Sequence, residues 1–463
     1  MPKPYVNVLC DLARRKRYLD SYDIEPNALL LSCNPKRGNI YLRLTEIEMF
    51  LEKPMSNVSR DLAEIAAYIY QADKAVRRGE GNRWTREFSM LIPVRESAQW
   101  TEISSLLSRC LFELTGDFFT FQFVQRETRD VGSIAPAIRN SWSHSDCVCL
   151  FSGGLDGFAG VTALAGRGRQ PVLVSHYISN LKPIQQQQVD AVNETFGLEL
   201  KHLQFRVAPL NNRRTFRPFV SVENTQRSRS FLFLSIAAVV AFERRLRELF
   251  VCENGVLAIN VPLAASRLGS RSTRSTHPHF LQPFQDLIRK LFGTPITVRN
   301  PFSFKTKKEV VEVVKQAALK RELHNTISCW GFPRRTMGMR NTRHCGYCLP
   351  CIHRRISFLA AGYQRWDDNY KVDIFRDYKN INSNVAIDFR DLLSFAAKVK
   401  NMDTAELIYS TPALLVEVGE LCNTGRADDS ILLAQMLKRY SNEVLRVARS
   451  KARGAFNYWQ IAV

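Results

Sequence analysis

Asp146-Cys-Val-Cys-Leu-Phe-Ser-Gly-Gly-Leu-Asp-Gly157 is the stretch from which the rest of the chain takes its order. The apolar run from Cys147 to Phe151 reads as a buried strand, too short for a core helix and ended by two glycines. The residues from Phe158 to Leu164 then read as the start of a helix. A strand, a Ser-Gly-Gly turn and a helix amino end together make an anion site. Glycines let the backbone approach a phosphate, and the unpaired N–H groups and helix dipole favour its negative charge. Ser152 adds a hydroxyl donor, and Asp156 is placed to hold a metal or orient a leaving group. No Gly-Lys-Ser/Thr follows, so the loop is not a Walker A loop. The same residues also read as an ordinary tight strand-to-helix turn, and the choice rests on what surrounds them.

Downstream of Asp146, strands and helices alternate. Strands are predicted at 171–177, 200–207, 249–253 and 296–298, and helices at 183–196, 228–246, 278–292 and 306–319. The helix at 228–246 is apolar on all sides and is expected to be buried against a sheet. Such alternation predicts an α/β fold, a doubly wound parallel sheet with right-handed crossovers. Ligands then sit beyond the carboxyl ends of the strands, where the Ser-Gly-Gly turn lies. Two basic loops, 211–229 and 268–279, are expected to overhang the same crevice.

Two flanks extend this unit. Residues 1–140 read as a separate α+β domain for partner recognition, with helices at 59–77 (Ser59 as N-cap) and 100–114 and strands at 88–94 and 118–124. Residues 361–463 lose the strand signal and read as helical, at 388–400, 404–408, 414–421 and 429–452. The core unit therefore spans 145–360. With 463 residues and 45% hydrophobic composition, the chain has material for about three domains and a sizeable core. Sixty-five Lys and Arg against 44 Asp and Glu give a net charge of +21, which points to an anionic partner: nucleotide, nucleic acid or acidic protein. Neither a signal peptide nor a membrane-spanning apolar run is present, so a cytoplasmic protein is expected.

In that compartment eleven cysteines argue for thiols or a metal over disulfides. Cys329, Cys345, Cys348 and Cys351 form C-x15-C-x2-C-x2-C, in which Gly346 and Pro350 bend the chain so that four thiolates converge on one ion. Structural zinc is the favoured reading, with an iron–sulfur cluster and a redox relay as rivals. His344 and His353 are available as substitute ligands, and Arg340, Arg343 and Arg354 are expected to offset thiolate charge. The other seven cysteines read as buried apolar residues.

A Ser-Gly-Gly-Leu-Asp loop opening an α/β sheet, paired with a downstream C…CxxCxxC, resembles the 7-cyano-7-deazaguanine synthases of queuosine biosynthesis. These are N-type ATP pyrophosphatases of the adenine nucleotide alpha hydrolase-like, PP-loop fold, with a structural zinc. Further segments resemble the family in order: Arg229-Ser-Phe-Leu-Phe-Leu-Ser235, Glu253-Asn254-Gly255, Thr306-Lys307-Lys308-Glu309 and Ser328-Cys329. The resemblance implies that ATP with Mg²⁺ is held by a set drawn from Ser152, Gly153, Gly154, Leu155, Asp156, Gly157, Ser175, Glu253 and Asn254. It implies Asp156, Lys307 and Arg229 as catalytic residues, with His277 beside them, and Zn²⁺ on Cys329, Cys345, Cys348 and Cys351.

Two departures stand out. Gly157 replaces the Ser that closes the family's loop, removing one phosphate donor, and Ser275-Thr-His277-Pro278 replaces the family's Asp-Cys-Arg-Pro. The long flanks resemble those of synthase-like proteins of bacterial antiphage operons, in the Qat system and a class of CBASS. The resemblance then implies adenylation of a 7-deazaguanine carboxylate and transfer to an amine of a partner protein from the same operon. The acceptor is expected to be gripped by the N-terminal flank and to enter near His277 and Arg274. Three alternatives stand beside this: a nitrile-forming synthase, a tRNA-modifying ATP pyrophosphatase that suits the basic charge, and a non-catalytic nucleotide-binding scaffold.

Overall fold

The computed structural model describes residues 5–11, 28–36, 38–78, 84–126, 144–210, 223, 225–260, 274–332, 342–380, 383–411, 415, 416, 418 and 429–461. A first sheet holds β1 (Tyr5–Cys10), β2 (Leu29–Leu31), β3 (Glu87–Val94) and β4 (Phe118–Gln125), in the spatial order β2-β1-β3-β4. Every neighbouring pair is parallel. The N-terminal flank is thus α/β in its pairing, where the sequence suggested α+β. Strand periodicity reports which face is buried and carries no information on the direction of the neighbour. Along β4 the period of two puts Phe119, Phe121 and Phe123 on one face, where their rings stack. Helix α1 (Asn57–Ala75) begins at Ser56, whose hydroxyl accepts the Ser59 N–H at 3.3 Å; the cap lies three residues before the one predicted. The predicted helix at 100–114 is two helices, Ser97–Glu102 and α2 (Ser104–Thr115).

The second sheet holds β5 (Cys147–Leu150), β6 (Pro171–His176), β7 (His202–Phe205), β8 (Glu248–Phe250) and β9 (Thr297–Arg299). Its order is β9-β8-β5-β6-β7 and all four pairings are parallel. Helices α3 (Leu155–Ala165), α4 (Lys182–Phe196) and α7 (Lys307–Gln316) share a buried cluster on one face. Helices α5 (Arg229–Glu243) and α6 (Pro278–Phe292) cover the other. The chain runs outward from β5 to β7, and α5 then carries it back to β8 on the far side of β5. That reversal creates a crevice beyond the carboxyl ends of β5 and β8.

The two sheets are joined through helices. α1 packs on α5 and α2 on α6, and one hydrophobic cluster runs from Val8, Ile65 and Phe88 through Phe231 and Val240 to Phe284. This explains why α5 is apolar all round: it has protein on both sides. A short antiparallel ribbon, Ile40–Tyr41 against Ala208–Pro209, adds a second join. The predicted boundary near residue 140 lies outside the described residues, but the buried cluster crosses it.

The C-terminal flank is helical as predicted. Helices α9 (Ser383–Asn401) and α10 (Asp429–Lys451), with Leu407 of the Thr404–Ser410 helix, share a buried cluster with α8 (Leu349–Ala360), Val256 and Ile259 of the core. Most of the helix predicted at 414–421 falls outside the described residues. Among the described residues, no helix is long and apolar enough to cross a membrane.

Candidate nucleotide site and four-cysteine centre

The loop from Ser152 to Gly154 leaves β5 and enters α3 at the crevice. Gly153 has φ +77°, a left-handed conformation that a glycine adopts without strain. Its carbonyl accepts the Ile327 N–H at 3.1 Å and the Gln188 side-chain amide at 3.1 Å. Gly154 is the N-cap of α3, and the first intrahelical bond is Phe158 N–H to the Gly154 carbonyl. The first-turn N–H groups of Leu155, Asp156 and Gly157 precede that bond, the arrangement that favours an anion. Ser152 is exposed, with its hydroxyl at the mouth, while the Leu155 side chain is buried in the core. Gly157 lies inside α3 outside the left-handed region, and a Cβ there would meet Ser152 N at 3.6 Å, an ordinary contact. Space for the family's serine is therefore present.

Three strand ends bring charge to this loop. Asp156, in the first turn of α3, forms an ion pair with Lys307, the first residue of α7. Asn254, just past β8, donates to the other Asp156 oxygen at 3.4 Å while capping the Gly255–Ala258 turn. Lys307 and Asn254 are buried, so this pairing is shielded from solvent. Glu253 joins them, with its main chain held on both sides by Asn300, at 3.3 and 2.8 Å, and Oε2 accepting the Thr276 hydroxyl at 3.1 Å. Burial, reinforced by Asp156, pushes its carboxyl up to about 7, with Lys307, the Thr276 hydroxyl and Arg229 pulling the other way. Arg229, exposed at the start of α5, lies over the Phe233 ring at 5.8 Å. Its charge reaches both Glu253 and His176.

Three expected residues are engaged elsewhere. His277 is buried as the N-cap of α6, its Nδ1 accepting the His279 N–H at 3.2 Å. Burial first, then Arg274 and His279, lower its pKa to about 3, so the ring is neutral. Arg274 pairs with Glu113 of α2 at 3.4 Å. Ser175 is buried beneath the loop, donating to the Phe151 carbonyl and bonded to His202 at 2.8 Å. The loops at 211–222 and 261–273 lie outside the described residues.

The sequence reading missed Gln188, Thr276, Asn300 and Ile327. Gln188 had a signal: with Gln185 it occupies the same stripe of α4 as Val189 and Val192, and a polar side chain on a buried stripe needs a partner.

Cys329, Cys345, Cys348 and Cys351 present sulfurs that all lie within 4.8 Å of one another. Cys345 and Cys351 are 3.8 Å apart, and four thiolates about 2.3 Å from a tetrahedral ion stand about 3.8 Å from each other. The four residues therefore fit one ion. Gly346, at φ +88°, makes the bend, and a Cβ there would overlap the Val372 carbonyl. His344 is buried with Nε2 accepting the Ser328 N–H at 3.2 Å and Nδ1 facing Asp368, and His353 stacks on Tyr440. Neither is a spare ligand. Arg354 is bound to Asp367 and to the Thr326 and Leu323 carbonyls, and Arg343 to the His324 carbonyl and Asn325; Arg340 lies outside the described residues. Five of the other cysteines are buried as expected, Cys252 is half-buried, and Cys422 lies outside the described residues.

Fold and site together define an α/β protein with parallel sheets, a glycine-containing strand-to-helix loop at its topological switch point and a cluster of four cysteines. Residues 146–362 match the family described as Queuosine biosynthesis protein QueC, and the chain is QueC-like over that segment. The 7-cyano-7-deazaguanine synthase of Methanothrix thermoacetophila is 25% identical over 244 residues, which cover 46% of this chain and 94% of that protein. The matched segment opens with β5 and closes just after α8, so both flanks lie outside it.

Proposed function

We propose that the chain uses ATP to adenylate the carboxylate of a 7-deazaguanine acid and passes the acyl group to an amine, that of a partner protein, in antiphage defence. The observation that carries the enzymatic part is the convergence of Asp156, Lys307 and Asn254 on the Ser152–Gly157 loop, within a segment similar to ATP-using synthases. A carboxylate is a poor electrophile. Its oxygen attacks the α-phosphorus, pyrophosphate leaves, and the acyl adenylate then has AMP as a leaving group. The amine forms the new C–N bond as the C–O bond to AMP breaks.

The loop N–H groups and Ser152 hold phosphate oxygens, and Lys307 neutralises charge on the departing pyrophosphate. Mg²⁺, when bound with ATP, supplies further charge neutralisation at the phosphates, and Asp156 is the carboxylate placed to receive it. Arg229 and Glu253 border the crevice and face the acyl acid or the incoming amine. Zinc on the four cysteines is a structural element. A protein acceptor is supported by the flanks, which have no counterpart in the matched segment, and by their resemblance to antiphage-operon proteins.

The test is product mass. Incubation with ATP, Mg²⁺, 7-carboxy-7-deazaguanine and co-purified partner proteins should yield AMP, pyrophosphate and a partner whose mass rises by that of the acid less one water. The nitrile reading, favoured by the name of the curated relative, instead gives free 7-cyano-7-deazaguanine when ammonium is added, with two ATP consumed per acid and no change in partner mass.

A further inference from the structure

The phosphate loop is held from below by the chain that leads into the four-cysteine centre. Gln188 of α4 is fully buried, and its amide nitrogen donates to two carbonyls: Gly153 of the loop at 3.1 Å and Asn325 at 3.2 Å. Its Oε1 has no hydrogen-bond partner among the described residues. Two residues past Asn325, the Ile327 N–H reaches the same Gly153 carbonyl. Gly154 rests on the Ile327 carbonyl, which a Cβ would approach to 3.1 Å.

The far side of this segment is fastened to the cysteine arm. Ser328 N–H bonds His344, and Arg343 bonds the His324 carbonyl and Asn325 Oδ1, each at 3.2 Å. Cys329 follows Ser328 directly, and Cys345 follows His344. The six residues 324–329 thus lie between the loop and the thiol cluster, fastened to both. A filled centre fixes Cys329 against Cys345; an empty one leaves four close thiols with nothing to hold them together.

We propose that Gln188 and Ile327 are positioning residues through which the ion held by Cys329, Cys345, Cys348 and Cys351 sets the phosphate loop, so that nucleotide binds tightly only when the centre is filled. The inference rests on the reading of the Ser152–Gly157 loop as a nucleotide site. Linkage makes it reciprocal: whatever factor the ion contributes to nucleotide affinity, nucleotide must return to ion affinity.

The test uses the full chain, Zn²⁺ and α,β-methylene-ATP. Zinc affinity is measured by competition with a chelator, with and without the analogue, and analogue affinity by calorimetry on the zinc-loaded chain. The expected result is that the analogue tightens zinc binding at least tenfold. In Gln188→Met, zinc should remain at one per chain, analogue binding should weaken 3- to 10-fold, and the coupling should shrink below threefold. A coupling factor of one in the unaltered chain, or an unchanged factor in Gln188→Met, overturns the proposal. The unaltered chain supplies the decisive factor even where Gln188→Met does not fold. Zinc-loaded chain that binds no analogue overturns the nucleotide reading itself, a separate failure.

Discussion

The two flanks meet the candidate nucleotide site at different residues and pack on the core through different buried clusters. The N-terminal flank shares one hydrophobic cluster with the core, and a buried ionic lattice crosses the same contact. Asp73 of α1 accepts the Ser228 N–H at 2.9 Å and its hydroxyl at 2.7 Å, while pairing with Arg86. Arg86 and Arg78 in turn hold Asp117. Ser228 directly precedes Arg229, so this flank sets the start of α5 at the crevice. The C-terminal flank packs in a second cluster, shared with α8, Val256 and Ile259 of the core, and reaches the site through side chains of α10. Thr306, the residue before Lys307, donates to Glu443 of α10 at 2.9 Å. Gly255, the residue after Asn254, is packed so closely that a Cβ would overlap the Ser303 carbonyl and the Met436 sulfur. One flank extends the cluster on the α5–α6 face of the sheet, and the other shares a cluster with α8 and the turn after β8.

The sharpest way to break this comparison is removal of residues 1–140. It strips the apolar partners from α5 and α6, and the expected outcome is insoluble protein. A soluble, cooperatively melting remainder would show the N-terminal flank to be a separable module, as its sequence suggested. Next in size is Asp73→Ala, which leaves buried guanidinium groups short of a carboxylate. A loss of about 3–5 kcal/mol is expected in urea denaturation, and a loss under about 1 kcal/mol would remove the lattice from the account.

At the C-terminal flank the effect is smaller and depends on pH. Burial pushes the Glu443 carboxyl up to about 7, against the Thr306 hydrogen bond, from an ordinary value of 4.5. Between those values the folded chain keeps a proton that the unfolded chain has lost, so stability is full below about pH 4.5 and falls as pH rises through 7. Glu253 carries a shift of the same sign. Glu443→Gln should therefore flatten the decline of melting temperature between pH 5.5 and 8.5 while unfolding stays cooperative. An unchanged slope would mean that Glu443 does not hold this proton.

Smallest of all is Gly157→Ser. The helix backbone is ordinary there and the Cβ has room, so stability should stay within about 0.5 kcal/mol and nucleotide affinity should hold or improve.

What the sequence made legible was local. The strand-turn-helix around Ser152–Gly157, the alternation that follows it and the close spacing of Cys345, Cys348 and Cys351 each lie within a few turns of chain. What stayed hidden depended on partners distant in sequence. The capping of α6 by His277 depends on where that helix begins, and Asp73 gives no hint in sequence of Ser228. The parallel pairing of β1 to β4 left no mark on their patterns. Gln188 falls between these cases, being polar on an apolar stripe with its partners more than thirty residues away in sequence.

The central claim is that the Asp156–Lys307 corner of the QueC-like core runs an adenylation. The direct measurement is AMP formed from ATP with and without 7-carboxy-7-deazaguanine, in the unaltered chain and in Asp156→Ala. The account predicts AMP and pyrophosphate in equal amounts only when the acid is present, and at least about 100-fold less from a folded Asp156→Ala chain. AMP release that ignores the acid, or that survives the loss of Asp156 undiminished, would contradict it.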